Sequence, residues 1–277
     1  MEKTNVIPKI FDVKHKNIVL TGASGTLGSQ YSHFLSAAGA NMILVDLDDK
    51  KNKMLEKQIV KKYHTKCKSY LADISNKEEI KNVSSKIISE FGTIDGLINN
   101  AGFTSTFAKK QTKSYVTSFE EFPLELWNKT LAVNLTGVFL CSQEFGKVMA
   151  KRKKGVIINI ASHYGLIGAD QRIYGKSGLN LSASYAASKA GIVNLTRYLA
   201  SYWRKKNIRV NTLTLGGVFD SNLHKDKNFV KNYSNKTIIG RMGKKEDFDG
   251  ALLFLASDAS EYVTGSNIVV DGGWTAW

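Results

Sequence analysis

The chain has 277 residues, 43% hydrophobic and 10% aromatic, which is ordinary globular composition and excludes a disordered protein. No apolar run approaches the roughly 20 residues of a membrane span, and the polar stretch from Met1 to Lys16 lacks the apolar core of a signal peptide. The formal charge of +15 invites a nucleic-acid reading, but the lysines are spread over expected helix faces and ends without aromatic interleaving. They read as solvated faces that favour anionic ligands. Cys67 and Cys141 fit no motif spacing, so reduced thiols and a cytoplasmic location are expected.

In chain order, apolar strand-like runs alternate with helical patterns. Asn17 to Thr21 predicts a first strand, followed by a glycine-rich turn and a helix from about Thr26 to Gly39. Asn41 to Leu47 predicts a second strand, then a charged helix to about His64, a strand near Lys66 to Leu71 and a helix from about Asn76 to Phe91. Ile94 to Asn99 reads as the fourth strand. Two helices follow, Pro123 to Ala132 and Leu135 to Lys151, and then a fifth strand from Gly155 to Ala161. A helix opening at Tyr185, a strand from Ile208 to Leu213, a short helical region, a helix near Lys245 to Ala256 and a last strand from Asn267 to Val270 complete the pattern. Strands separated by helices predict a doubly wound parallel sheet of about seven strands, flanked by helices, in one domain spanning 1–277. Ligands in such folds bind at the carboxyl ends of the strands. Two loops exceed the usual lengths, Phe103 to Phe119 and His163 to Ala183, and loops that long are commonly functional.

The turn Thr21-Gly22-Ala23-Ser24-Gly25-Thr26-Leu27-Gly28 lies between the first strand and its helix. Glycines there let the backbone approach a pyrophosphate, whose charge the helix N-terminus meets. Asp46 follows at the end of the second strand, placed to accept from ribose hydroxyls or, more plainly, to begin a solvated turn. A carboxylate there repels a 2′-phosphate, so NAD is expected in preference to NADP.

Tyr185 and Lys189 lie four apart, hence on one helix face. Bringing a phenol from about 10 to about 7 takes roughly 4 kcal/mol, about what Coulomb's law gives for unit charges ~4 Å apart at an effective dielectric of 20. The spacing alone decides nothing, because Tyr202 and Lys206 repeat it. That second pair falls near the end of the expected helix, far from the strand ends. No spacing of His, Cys, Asp and Glu suggests a metal site.

Together with Asp73-Ile74, Asn99-Asn100-Ala101-Gly102, Asn134 in Val133-Asn-Leu-Thr-Gly137, Ser162 and the closing Val270-Asp-Gly-Gly273, these motifs resemble the short-chain dehydrogenase/reductase family along nearly the whole chain. The resemblance implies a Rossmann-like fold, an NAD(P)-dependent oxidoreductase acting on alcohols and ketones, and a catalytic tetrad of Asn134, Ser162, Tyr185 and Lys189. Tyr185 would exchange the substrate proton, with Lys189 lowering its pKa and holding the nicotinamide ribose. Ser162 would hydrogen-bond the reacting oxygen, and Asn134 would hold a water linking Lys189 to solvent. Asp73 and Ile74 would flank the adenine, Asn100, Ala101 and Gly102 would line the cofactor, and Gly217 and Val218 would meet the carboxamide. The chain departs from the usual pattern at Gly25, one place early, and at Leu215-Gly216-Gly217, where Pro-Gly is customary. The family also implies a homodimer or homotetramer through the helices at Leu135 to Lys151 and Tyr185 to Asn207.

Substrate identity points to the long segment after Ser162. Its Arg172 could fork onto a phosphate and its Tyr174 could hydrogen-bond a sugar, while His163, next to Ser162, is either an additional acid or base at the substrate or a loop residue. A sugar or sugar phosphate is therefore the expected substrate, the alternative being that the segment is a solvent-exposed insertion or a subunit-contact loop. Combined with Gly216-Gly-Val-Phe219 and the ending Asp271-Gly-Gly-Trp-Thr-Ala-Trp277, the segment resembles bacterial members linked to surface-polysaccharide and flagellin-glycan sugar synthesis. A non-sugar alcohol or ketone of the 3-oxoacyl reductase type and a catalytically silent nucleotide-binding scaffold are the competing readings.

Overall fold

The computed structural model describes residues 9–104, 118–176 and 180–277. The expected loop from Phe103 to Phe119 therefore lies largely outside the described residues. One parallel sheet runs through the molecule in the order β3-β2-β1-β4-β5-β6-β7. Its strands are β1 (Asn17–Thr21), β2 (Asn41–Asp46), β3 (Cys67–Leu71), β4 (Gly96–Asn99), β5 (Gly155–Ser162), β6 (Ile208–Leu215) and β7 (Asn267–Val270). The helices are α1 (Thr26–Ala37), α2 (Asp49–Tyr63), α3 (Lys77–Phe91), α4 (Leu124–Leu131), α5 (Gly137–Arg152), α6 (Ala183–Tyr202), α7 (Lys227–Ser234) and α8 (Asp249–Ala256).

Residues of β1 are buried on both faces, so alternate side chains enter two cores. Ile18 and Leu20 pack with Tyr31 and Leu35 of α1 and Leu252 and Leu255 of α8. Val19 packs on the other side with Ile80 of α3 and Phe145 of α5. Strand order reverses between β1 and β4, and the crevice at their carboxyl ends is where such sheets bind ligands. No described helix is long and apolar enough to cross a membrane.

Local chemistry sets the helix ends. Asp48 caps α2 by accepting from the Lys51 amide, and Asn76 caps α3 by accepting from Glu78 and Glu79. The Ser182 hydroxyl accepts from the Tyr185 amide and so begins α6 nearly two turns ahead of Lys189. A buried polar chain then fixes α6 against the sheet. Asn99 of β4 donates to Asn159 of β5 at 2.8 Å, and Asn159 donates to Thr196 of α6 at 2.9 Å.

The two helices expected around residue 133 are continuous. A single π-turn, Ala132–Thr136, joins α4 to α5, and Asn134 lies within it, fully buried. The helix expected from Lys245 begins as a short 3-10 turn, Lys245–Phe248, before α8. The long segment after β5 carries two further 3-10 turns, His163–Gly165 and Gln171–Tyr174.

Candidate active site

A cleft of about 1270 Å³ crosses the carboxyl ends of the strands. At one end lies the first turn. Gly22 has φ +64°, and a Cβ there would meet the Ala101 backbone at 2.7 Å, so glycine is required for the loops after β1 and β4 to touch. Asn100 ties the same two loops together, donating to the carbonyls of Thr21 and Gly22 at 3.1 Å each. Gly28 is needed for packing, since its Cβ would lie 2.1 Å from the Gly22 oxygen. Gly25 differs: a Cβ there would meet only that oxygen, at 3.4 Å, and would otherwise project into open space. It stands at the N-terminus of α1, which has no side-chain cap. A glycine cradle in front of uncapped amides fits a dinucleotide pyrophosphate.

Asp46 lines the same end, and its carboxylate accepts from the amides of Ser24 at 2.8 Å and Asp48 at 2.9 Å. It therefore braces the glycine turn while keeping lone pairs for a ribose. Lys51 also lines this end but is paired with Asp48 at 2.7 Å. One Asp73 oxygen accepts from the Ser75 amide and hydroxyl, and Ile74 is buried where a side chain on Gly137 would strike it at 2.6 Å. At the far end Gly217 and Val218 form a strand-like bridge with Gly243. The hydroxyl of Tyr233 accepts from the Gly217 amide, and only glycine leaves room for that ring.

Between these ends three of the four expected catalytic residues, Ser162, Tyr185 and Lys189, line the cleft, and Asn134 is buried behind it. Ser162 ends β5, and Tyr185 and Lys189 project from the first two turns of α6. Lys189 donates to the Ile160 carbonyl at 3.0 Å, with its Nζ 5.7 Å from the centre of the Tyr185 ring. Burial pushes the ammonium down from 10.5 to about 8. Burial pushes the Tyr185 phenol up, and its hydrogen bond to Ser162 opposes that rise. The His163–Gly165 turn packs on α6 at Lys189, where a side chain on Gly165 would strike the helix backbone at 2.6 Å. Asn134 lies in the π-turn between α4 and α5. Its oxygen accepts from the Phe103 amide at 2.6 Å, and its amide group donates to the Phe103 carbonyl and to Ser188. Its side chain thus clamps the loop after β4 onto α6.

Of the three expected substrate residues, His163 and Tyr174 line the cleft, and burial pushes the Tyr174 phenol up to about 12. Arg172 does not reach it. Its guanidinium is 87% exposed and forks onto Asp170 at 2.8 and 2.9 Å, and Lys236 holds the other side of the same carboxylate. Arg172 is thus paired locally and does not line the cleft in this structure. Sequence reasoning missed Tyr164, Phe229 and Tyr233, which complete the substrate end. The only signal was the density of aromatics between Phe219 and Tyr233 and in the tail, where Trp274 packs 4.4 Å from the Tyr233 ring. Among the described residues no group of three or more His, Cys, Asp or Glu side chains is arranged to hold a metal ion.

Comparison with known proteins agrees with this geometry. A family profile described as enoyl-(acyl carrier protein) reductase matches residues 22–275. The chain is 30% identical to the D-threitol dehydrogenase of Mycolicibacterium smegmatis over 96% of this chain and 95% of that protein. It is 32% identical to the NAD-dependent glycerol dehydrogenase of Listeria innocua, covering 96% of each. A gluconate 5-dehydrogenase of Burkholderia cenocepacia, solved in complex with NADP and tartrate, is similar at a TM-score of 0.86 and 26% identity, over 97% of this chain and 98% of that one. The nucleotide-binding turn, the strand order and the full-length match make the chain an oxidoreductase of the short-chain dehydrogenase/reductase family.

Proposed function

We propose that the protein is an NAD-dependent oxidoreductase that interconverts a secondary alcohol of a sugar alcohol and the corresponding ketone, with Tyr185 as the general acid/base. The observation that carries this reading is the convergence of Ser162, Tyr185 and Lys189 midway along a cleft whose one end is a dinucleotide cradle. NAD rather than NADP is supported by the Asp46 carboxylate at the ribose position, braced by two amides, and by the pairing of nearby Lys51 with Asp48. A sugar alcohol is supported by the activities named for the threitol and glycerol dehydrogenases.

When bound, the nicotinamide accepts the carbon-bound hydrogen together with its electron pair, and returns it in the reverse direction. The chain's residues handle the rest. Ser162 donates a hydrogen bond to the reacting oxygen and orients it. Tyr185 takes the hydroxyl proton as the carbonyl forms and gives it back on reduction. Lys189, held by the Ile160 carbonyl, keeps a positive charge beside the phenol and within reach of the cofactor ribose. Asn134 fixes the loop after β4, so Asn100 and Gly102 stay at the cofactor face of the cleft.

A second reading, 3-oxoacyl reduction on an acidic carrier protein, is favoured by the net charge of +15 and would give turnover of acyl thioesters in preference to polyols. Tyr185→Phe tests the main reading. We expect NAD reduction with a polyol to fall by about 10²–10⁴-fold while NADH still binds. Unchanged turnover in this variant would remove Tyr185 from the mechanism.

A further inference from the structure

The turn that leaves β5 carries two polar atoms with no partner. His163 is 1% exposed, and its Nδ1 lies 3.1 Å from the Leu215 carbonyl. A carbonyl can only accept, so Nδ1 carries the proton and donates. Burial pushes the imidazole below its ordinary pKa, which keeps the ring neutral. Nε2 is then a lone-pair acceptor, and it is buried and unpaired. The buried Tyr164 hydroxyl is unpaired as well. The Tyr233 hydroxyl accepts from the Gly217 amide and retains its own hydrogen to donate. Close packing keeps these groups from turning to other partners. The His163 ring is 4.0 Å from that of Tyr164, 5.1 Å from Trp274 and 6.2 Å from Tyr233. His163, Tyr164 and Tyr233 line the same cleft as Ser162 and Tyr185.

Leaving a buried acceptor without a donor is destabilising, and native structures keep few such atoms. We infer that His163 is a specificity-determining residue: its Nε2 accepts a hydrogen bond from a substrate hydroxyl other than the one oxidised, and Tyr164 and Tyr233 supply neighbouring hydrogen bonds to an uncharged polyol. The inference deepens the polyol reading above and rests on it. An acceptor at Nε2 pairs with a hydroxyl hydrogen, which a carboxylate or phosphate dianion does not have. Aromatic faces around it suit the carbon-bound hydrogens of such a molecule. With Arg172 held outside by Asp170, the two phenols and the imidazole replace the anion site expected there. A site built to hydrogen-bond a hydroxyl rejects the analogue that lacks it, because its own group is then left unpaired.

The test uses the full chain loaded with NAD, as wild type, His163→Asn and His163→Gln. Asparagine reaches about as far as Nδ1, so it can keep the bond to Leu215 while deleting the Nε2 acceptor. Glutamine carries an acceptor to about the Nε2 position. Initial rates are measured with threitol and xylitol and with the mono-ol 2-butanol, and the rise in melting temperature caused by each polyol is measured with NADH present. We expect His163→Asn to lower the ratio of kcat/KM for polyols over 2-butanol by about tenfold or more, mainly through KM. His163→Gln should restore most of the ratio, and the polyol-induced rise in melting temperature should vanish in His163→Asn. An unchanged ratio in His163→Asn overturns the assignment of His163 and leaves the polyol reading standing. A wild type that turns over no polyol overturns both.

Discussion

Gly25 and Gly28 occupy the same turn for different physical reasons, and alanine separates them. At Gly28 a Cβ would lie 2.1 Å from the Gly22 oxygen and 2.8 Å from the Ala23 Cα, both backbone atoms that cannot swing aside. Overpacking of that kind costs about 1–3 kcal/mol or more, which in a domain of this size lowers the melting temperature by roughly 2–12 °C. At Gly25 the new methyl meets nothing closer than 3.4 Å, and the backbone, at φ −72° and ψ 173°, is one that alanine adopts freely. Reduced freedom in the unfolded chain adds about 0.4–1 kcal/mol of stability, and the poorer cap subtracts a similar amount. Gly25→Ala should therefore melt within a few degrees of wild type. Its methyl would stand in the cradle before the uncapped N-terminus of α1, where a pyrophosphate must approach the backbone. Losing even ~2 kcal/mol of that approach weakens binding about 30-fold. Thermal unfolding without cofactor, paired with NADH titration followed by tryptophan fluorescence, reads both effects. If Gly25→Ala bound NADH within twofold of wild type, the assignment of the turn as the pyrophosphate cradle would be wrong.

Three further outcomes follow from charge and burial. The folded protein holds Lys189 at about 8, against 10.5 when the side chain is free, so between those values the unfolded chain binds the extra proton. Stability should then rise with pH from about 8 to 10.5 by roughly 3 kcal/mol, and Lys189→Met should flatten that slope in urea unfolding; parallel curves would refute the burial argument. Asp249 is buried, accepts from Gln30 at 2.7 Å, and is pushed up from 3.8 to about 6. Its contribution is fully present below 3.8 and is lost as pH rises through 6, so Asp249→Asn should stabilise the protein at pH 7.5 by up to roughly 3 kcal/mol, and a loss of stability there would contradict this. On α5 and α6, Phe139, Tyr198 and Tyr202 stand 44%, 63% and 68% exposed, and we propose that they meet a second copy of the chain. Light scattering should give an oligomer for wild type and a smaller species for Tyr198→Glu/Tyr202→Glu; an unchanged mass would place the interface elsewhere.

The strands and most helix starts were legible because single local patterns decide them. β1 and β7 keep the bounds read from their apolar runs, and the helix expected from about Asn76 is capped by that residue, whereas the helix expected to open at Tyr185 begins two residues earlier behind Ser182. The junction at Asn134 was not legible. A π-turn leaves no compositional mark, and what holds it is a contact with Phe103, 31 residues away. Ser162, Tyr185 and Lys189 could be placed because the first ends a strand and the other two lie in the opening turns of a helix. Arg172 was misplaced because its partner, Asp170, is only two residues away, and the sequence does not say whether such a neighbour wins over a ligand. Tyr164 and Tyr233 were missed because aromatics in loops signal burial without saying against what.

The Tyr185/Lys189 pair shows why location, and not spacing, makes the chemistry. With Nζ 5.7 Å from the ring centre, an ammonium gives a phenolate about 3 kcal/mol at an effective dielectric near 20, or roughly two pKa units. Burial acts against both charges, raising the phenol and lowering the amine. Burial alone therefore favours neither the phenolate nor the ammonium. Ser162 opposes that burial cost, because its hydrogen bond favours the ionised phenol. Tyr202 and Lys206 repeat the four-residue spacing at the end of α6, but Tyr202 is 68% exposed and stacked on Tyr198. In water an ammonium ~4 Å away would be worth only about 1 kcal/mol to a phenolate, and no strand end brings a serine or a cofactor cradle to meet it. Desolvation, which opposes both charges of the Tyr185/Lys189 pair, also strengthens any Coulomb attraction between them, and the exposed Tyr202 lacks that environment.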